Sequence, residues 1–286
     1  KSERFINGLL EDLVNQTIFQ KGELEIILID SNSPENEFQY IEPYLQQYPK
    51  QIIYHRTAER ETLYKAWNRA ITISKGVYLT NANTDDRHRK DALEILANCL
   101  DTYKEYDLVY PDLLITTKEN DTFENTQTLL RYEFPDYNLG SYLSNSNFGA
   151  QPMWRKSVHN TIGYFNDSYK IGGDYEFFIR LAKEFKPIHL RETLGLFLQG
   201  NDALTNSKNI TDILKETRET LKTHRRTIDL KQVYPTFEPK NNDASEILAV
   251  LWDYGVTNML SPYSDFEISL SCFNKCLELG KRTTKY

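Results

Sequence analysis

The sequence predicts an α/β protein whose central sheet is mostly parallel and flanked by helices, followed by a C-terminal helical appendage. Between residues 24 and 116, short apolar runs alternate with amphipathic helical patterns. This alternation is typical of parallel sheets covered by helices on both faces. After about residue 201 the chain becomes charged and helical. We therefore expect an α/β domain over residues 1–205 and a helical extension over residues 206–286.

The elements of the first half are predicted from the spacing of apolar residues. Helices repeat them every three or four positions, whereas buried strands are short apolar runs that end in turn residues. Because strand–helix units usually start with a strand, the leading helix predicts a natural chain that extends further at its N-terminus, unless the fold simply starts with a helix. By these criteria the chain alternates helices at 5–18, 40–45, 61–74 and 92–103 with strands at 24–30, 51–55 and 76–82.

The second half combines strands with a long polar segment and further helices. Residues 118–149 have little periodicity, and a segment of this kind is more often functional or mobile than part of a core. Residues 172–182 read as a tight glycine turn that feeds a helix, and 233–243 as a Pro- and Asn-rich linker. The remaining apolar runs predict strands at 108–110, 113–116, 187–190 and 194–198, and helices at 211–226, 246–254 and 266–279.

Composition narrows the classes of function. The net charge of −7 argues against a general nucleic-acid surface, which needs clustered Lys and Arg. The sequence has three cysteines, and the two that lie four residues apart, Cys272 and Cys276, have no His or further Cys around them. This pattern is typical of reduced thiols rather than of zinc or a disulfide framework. No apolar run reaches the ~20 residues of a membrane-spanning helix. We expect a cytoplasmic protein, with peripheral attachment to the inner face of a membrane left open.

An aspartate pair, Asp85 and Asp86, closes the apolar stretch 76–82 and its polar turn. Ligands of open α/β sheets bind at the C-terminal ends of the strands, and paired carboxylates there suit Mg²⁺ or Mn²⁺. Aspartate is also a good helix N-cap, and two adjacent aspartates are common on surfaces. The pair alone leaves these alternatives open.

Four segments in chain order resemble the family 2 glycosyltransferases with the GT-A fold. No single segment is specific, but their order over roughly residues 3–200 is. The resemblance implies an inverting transfer of a sugar from a nucleotide-sugar donor to a hydroxyl acceptor, with a divalent cation. It does not extend to the C-terminal third. The four segments are residues 29–33, 63–68, 76–86 and 173–180.

The resemblance assigns roles to the carboxylates. Asp86 matches the metal-bound aspartate of the family and Asp85 its neighbour, whereas Asn83 stands where a further aspartate is common. Asp174 matches the base that takes a proton from the acceptor hydroxyl, although its local sequence equally suits an N-cap. Glu176, on another side of the same helix, is the competing carboxylate. Residues 198–202 contain no metal-binding His, so we expect Mn²⁺ or Mg²⁺ to be held by carboxylates and phosphates only.

Three further residues are expected on the donor side. Asp30 matches an acidic position that holds the nucleoside, with Ser31 where a second acidic residue is common. Asn68 matches an asparagine that bonds either the donor or merely backbone. Arg60 lies close to a strand end and is a candidate for the donor phosphates. Asp30 alone also suits a turn at the end of a strand.

The resemblance implies a UDP-sugar as the commonest donor type and a carbohydrate, lipid-linked or protein acceptor. Two other functions stay open. One is a catalytically degenerate GT-A domain that serves as a scaffold. The other is a sugar nucleotidyltransferase, which needs a Gly-rich basic phosphate loop after its first strand, and the sequence contains no such loop.

Overall fold

A computed structural model describes residues 2–143, 148–200, 210–237, 244–261 and 263–283 of the chain. The chain divides into two compact units. The first comprises Lys1–Tyr137 and Asn147–Ile210, and the second comprises Asn138–Ser146 and Thr211–Tyr286. The predicted domain boundary near residue 205 and the end of the predicted linker, residues 238–243, lie outside the described residues.

The strands of the first unit form two sheets. In the described residues, the strands are β1 Ile26–Asp30, β2 Ile52–Arg56, β3 Tyr78–Thr80, β4 Arg87–His88, β5 Leu108–Thr116, β6 Arg131–Tyr132, β7 Met153–Arg155 and β8 Pro187–Leu198. Strands β1 and β2 pair in parallel, and a six-stranded sheet has the order β3-β7-β5-β8-β4, with β6 paired to β5.

The predicted α/β architecture is present, but the pairing is mixed rather than mostly parallel. Only β1–β2 and β5–β8 are parallel among the described pairs, whereas β3–β7, β5–β7, β4–β8 and β5–β6 are antiparallel. The three strands that sequence periodicity missed, β4, β6 and β7, have two or three residues each. Strands this short are too few in residues to show an alternation of apolar and polar side chains. They pair antiparallel, and antiparallel strands need no crossover helix whose pattern could have revealed them.

The helices lie mostly where the apolar spacing predicts them. A short 3₁₀ turn, Lys156–Val158, precedes the helix His159–Ile162. The described α-helices are α1 Glu3–Val14, α2 Thr17–Gln20, α3 Phe38–Gln47, α4 Leu63–Ile73, α5 Ala92–Thr102, α6 Leu139–Tyr142, α7 His159–Ile162, α8 Gly173–Glu184, α9 Ile210–Thr227, α10 Leu230–Val233, α11 Ala244–Leu260 and α12 Phe266–Thr283.

The predicted helix at 5–18 is broken at Gln16. This residue has extended backbone and a side chain that is almost fully buried. Its amide nitrogen donates to the carbonyl of Arg89 at 3.0 Å, and its oxygen accepts from the Leu93 amide at 3.2 Å. The buried amide thus satisfies backbone groups around the start of α5, which a continuous helix would leave unpaired.

One hydrophobic core joins α1, α5 and the strands of the first unit. Leu10, Leu100 and Val109 are fully buried at its centre, and residues of β1, β2, α2 and α3 extend it. In the second unit, α11 and α12 pack along each other, with Leu251, Tyr254 and Cys272 among the buried residues. No described helix is both long enough and apolar enough to cross a bilayer.

Candidate active site

Asp30 ends β1 and anchors a polar loop. Its Oδ1 accepts from the Ser33 amide at 2.7 Å, as in a turn, and its Oδ2 accepts from the Tyr54 hydroxyl at 2.6 Å and from Arg56 at 2.5 Å. Burial alone raises the pKa of Asp30, but these hydrogen bonds and the Arg56 charge outweigh it and hold the pKa below 3.8. Asp30 is therefore ionised at neutral pH, and its donors are supplied within the chain.

The loop after β2 presents an exposed cation beside this strand end. Ser31 joins the two loops, because its hydroxyl bonds both the amide and the carbonyl of Glu61. Glu61 is in turn held by Arg69 of α4. Arg60, next to Glu61, is exposed and makes no hydrogen bond or ion pair with the described part of the chain. It is thus available to an anionic ligand, whereas Arg56 is engaged by Asp30.

The aspartate pair follows β3 and directly precedes β4. The N-cap of α5 is Asp91, so the pair is not the cap of that helix. Asp86 is only 1 % exposed. Its Oδ2 accepts from the Asn83 amide at 2.9 Å and its Oδ1 from the backbone amide of Leu198, the last residue of β8, at 3.1 Å. Burial is the main cause that raises the pKa of Asp86 to about 6, with a smaller contribution from the charge of Asp85.

Arg87 points away from this site into the protein. It is 2 % exposed, and burial lowers the pKa of its guanidinium from the ordinary value. Its guanidinium donates to the carbonyls of Thr84, Asp86 and Phe5 and to Asn120. Arg87 therefore fixes the aspartate turn against α1.

The residues around the pair fit a divalent cation that also binds phosphate. Mg²⁺ and Mn²⁺ in such sites take one or two carboxylates, and phosphate and water supply the other oxygens. Asp85 is half-buried and so reaches solvent, whereas Asp86 is buried. In the part of the chain that the structure describes, no three His, Cys, Asp or Glu side chains are grouped to hold a metal ion. The chemistry of these donors suits an ion that arrives with a diphosphate.

Asp174 is the second residue of α8, after the N-cap Gly172. The N-cap role that its local sequence allowed therefore belongs to Gly172. Its Oδ1 accepts from the Tyr175 amide at 2.8 Å and lies 3.2 Å from the hydroxyl of Tyr64, on α4. The carboxylate is half-buried at the N-terminal end of the helix, where the helix dipole stabilises negative charge.

Two neighbours of Asp174 have structural explanations. A Cβ on Gly173 would lie 2.7 Å from the Tyr64 ring, so the glycine is needed for this close approach, not for a substrate. Glu176 forms a bidentate ion pair with Arg180 at 2.7 and 2.8 Å, and Arg180 also donates to the carbonyls of Ile162 and Tyr164. Glu176 therefore orients Arg180, which links α8 to the backbone at residues 162 and 164.

Asn68 and Trp154 also have structural partners. The Asn68 amide donates to the carbonyl of Phe165 at 2.8 Å and accepts from its amide at 3.0 Å, which clamps this segment to α4. The sequence left open whether the Asn68 side chain bonds the donor or backbone, and in the structure its partners are the backbone groups of Phe165. Trp154 is 2 % exposed and packs among Phe165, Phe177 and Phe178. It therefore belongs to the core.

Sequence reasoning missed two contributors to the site. Tyr64 gave no polar signal, because it lies in an apolar helical pattern that reads as core. The Leu198 amide is a backbone group, so no side-chain pattern could reveal it. Only the pairing of β8 with β4 and β5 brings it to Asp86.

A model of the family described as Glycosyl transferase family 2 matches residues 1–165. A PGL/p-HBAD biosynthesis glycosyltransferase of Mycobacterium tuberculosis is 25 % identical over 173 residues, 60 % of this chain and 62 % of that protein. Chondroitin synthase of Escherichia coli is 23 % identical over 180 residues, 63 % of this chain and 25 % of that protein. The chain thus spans less than two thirds of the length of these curated relatives.

Solved structures resemble the chain over most of its length. S. aureus TarS in complex with UDP superposes with a TM-score of 0.61 at 16 % identity, covering 100 % of this chain and 89 % of that one. The mannosyltransferase PcManGT of Pyrobaculum calidifontis, in complex with GDP-Man and Mn²⁺, gives 0.55 at 11 % identity, covering 96 % and 71 %. At these identities the likeness concerns the fold.

Proposed function

The chain belongs to glycosyl transferase family 2, and from this premise we propose that it transfers a sugar from a nucleotide-sugar donor to a hydroxyl acceptor. The predicted GT-A type of α/β fold is confirmed. The observation that carries the proposal is the state of the two carboxylates in the first turn of α8. Glu176 is locked by Arg180, whereas Asp174 is held half-buried by Tyr64 at the helix start. Of these two carboxylates, Asp174 is therefore the one that we propose for proton transfer.

In the proposed reaction Asp174 accepts the proton of the acceptor hydroxyl as that oxygen attacks the anomeric carbon. The carbon–oxygen bond to the donor diphosphate breaks on the opposite face, so a single displacement inverts the configuration. The conjugate acid of Asp174 then keeps the proton until product release. Tyr64 and the start of α8 fix the position of the carboxylate during this transfer.

The donor side is proposed to use the strand ends. Asp30 supports the loop beside the nucleoside, and the exposed Arg60 contacts the diphosphate. Asp85 and Asp86 would hold the divalent cation, with Asp86 releasing the Asn83 amide to take part. When bound, such a cation neutralises the charge that grows on the leaving diphosphate. The proposed role of Asn68 is to hold the backbone of Phe165 against α4, not to bind the donor.

The nucleotide of the donor is proposed to be UDP. The TarS structure contains UDP and supports this choice, while PcManGT contains GDP-Man, so the two neighbours do not agree on a base.

A panel of UDP-, GDP- and dTDP-sugars with Mn²⁺ tests the proposal through donor hydrolysis and transfer. We expect turnover with a UDP-sugar in the wild type and its loss in Asp86→Ala. Metal-dependent binding of a donor without any turnover would favour the degenerate scaffold.

The base is tested by a matched pair of carboxamide variants. We expect Asp174→Asn to lower kcat by about 10²- to 10⁴-fold, because the amide cannot take a proton, while donor affinity stays near that of the wild type. Glu176→Gln removes a carboxylate from the same helix but not from the reaction, so it should keep most activity. Normal turnover by Asp174→Asn, or an equal loss in both variants, would contradict the assignment.

A further inference from the structure

We infer that Tyr64 is a positioning residue whose hydroxyl holds the Asp174 carboxyl in place before and after proton transfer. This inference rests on the proposed role of Asp174 as the base. It concerns a residue that lies on α4, more than one hundred positions from Asp174 in the sequence, and that enters the site only through the fold.

The Tyr64 side chain has little freedom. It is 1 % exposed, its ring stacks on Phe165 with centroids 5.9 Å apart, and Trp67 meets it edge-on at 5.6 Å. The ring also fills the space beside Gly173 where a Cβ would stand 2.7 Å away. The hydroxyl is therefore delivered to one position at the start of α8.

The Tyr64 hydroxyl contacts two oxygen atoms but has only one proton, so it can donate to only one of them at a time. It bonds the carbonyl of Ile171 and lies 3.2 Å from Oδ1 of Asp174. A carbonyl and an ionised carboxylate only accept, and the hydroxyl has a single proton to donate. It can donate to Asp174 while that residue is ionised. Once Asp174 is protonated, the hydroxyl can turn its proton to Ile171 and accept from the acid.

Tyr64 can thus bond both forms of Asp174 without moving its ring. Burial is the main cause that raises the pKa of Tyr64 above 10, followed by the charge of Asp174. The hydroxyl consequently stays protonated over the working range of the enzyme and exchanges only the direction of its hydrogen bond. A carboxyl that kept its position only in the ionised form would need to be repositioned during each turnover.

The test compares Tyr64→Phe with Tyr110→Phe. Each replacement keeps a buried ring and removes a hydroxyl. Tyr110 lies on β5, and its hydroxyl donates to the Pro135 carbonyl at 2.8 Å. For Tyr64→Phe we expect kcat to fall by about tenfold to hundredfold with the donor KM unchanged, and the basic limb of the pH profile to keep its shape. Tyr110→Phe should leave kcat unchanged. Thermal unfolding by circular dichroism verifies that both variants fold.

Asp174→Asn is assayed in parallel, so that failure of this inference is distinct from failure of the base. An inactive Asp174→Asn together with a normal kcat in Tyr64→Phe overturns the role of Tyr64 and leaves the base in place. Turnover by Asp174→Asn, or no turnover by the wild type with any donor, overturns both. An equal kcat loss in the two tyrosine variants would assign the effect to general destabilisation and also overturn the inference.

Discussion

Asp86 combines near-complete burial with an acidic side chain, and this combination has a cost in stability. In the unfolded chain its pKa is near 3.8, whereas burial raises it to about 6 in the folded protein. Between these two values the folded state binds more protons than the unfolded state, so the free energy of unfolding falls as the pH rises. Above about pH 6 the full cost applies, on the order of 3 kcal/mol.

Asp86→Asn should remove this cost when no divalent cation is present. With EDTA, we expect the variant to be more stable than the wild type at pH 7.5 by up to about 3 kcal/mol, and the difference to vanish near pH 4. The Asn83 amide has to flip so that its oxygen faces the new amide, which lowers the gain. Urea unfolding as a function of pH measures both quantities.

Asp85→Asn is the matched control, because the Asp85 side chain is half-buried. It should change stability by less than about 0.5 kcal/mol. A loss of stability in Asp86→Asn at pH 7.5, or equal effects of the two substitutions, would contradict the account of Asp86.

Residue types were predictable at this scale, but contacts were not. The carboxylates Asp30, Asp85, Asp86 and Asp174 stand out in the sequence because they follow strands or open a helix. Their surroundings depend on residues distant in sequence, such as Leu198 for Asp86 and Tyr64 for Asp174. Pairs of this kind leave no trace in local spacing, because the fold alone brings them together.

At the scale of elements, the α11–α12 hairpin depends on close contact at one glycine. A Cβ on Gly255 would lie 2.8 Å from the Phe273 ring and 3.1 Å from Cβ of Cys272. Gly280, in the same pair of helices, has no atom within 4 Å of the corresponding point. The two glycines share a helical setting and differ in the space around them.

Gly255→Ala should therefore destabilise the protein by about 1–3 kcal/mol, because Phe273 has to move. Gly280→Ala should stabilise it by about 0.5–1 kcal/mol, since alanine favours a helix more than glycine does. Chemical denaturation of both variants provides the comparison. Destabilisation by both, or by neither, would show that the approach of Phe273 is not what distinguishes the two positions.

Long elements were predicted well and short ones were not. The helices α4, α5 and α12 agree with the apolar spacing to within a few residues, because several turns repeat the same pattern. The predicted strands 108–110 and 113–116 are one strand, β5, whose register shifts around Pro111 and Asp112. A proline and an acidic residue in mid-strand read as a break, whereas an irregularity in the β5–β8 ladder accommodates them.

At the scale of the whole molecule, the sequence predicted that a helical unit follows the α/β domain, but not which earlier residues belong to that unit. The shift to charged helices after about residue 201 is visible in composition. The structure also assigns Asn138–Ser146 to the second unit, near the end of the segment 118–149 that sequence spacing could not interpret. In that unit Arg225 is 4 % exposed and donates to the carbonyl of Leu143 through two nitrogen atoms.

This excursion of residues 138–146 limits how the protein can be recombined. A single crossover that replaces everything after residue 210 would bring in a foreign helical unit and leave behind the native segment whose Leu143 carbonyl accepts from Arg225. A working chimera needs three junctions, two around residues 138–146 and one after residue 210, so that both parts of the second unit are inherited together. For the same reason, homologous exchange among relatives should retain Leu143 and Arg225 as one linked block.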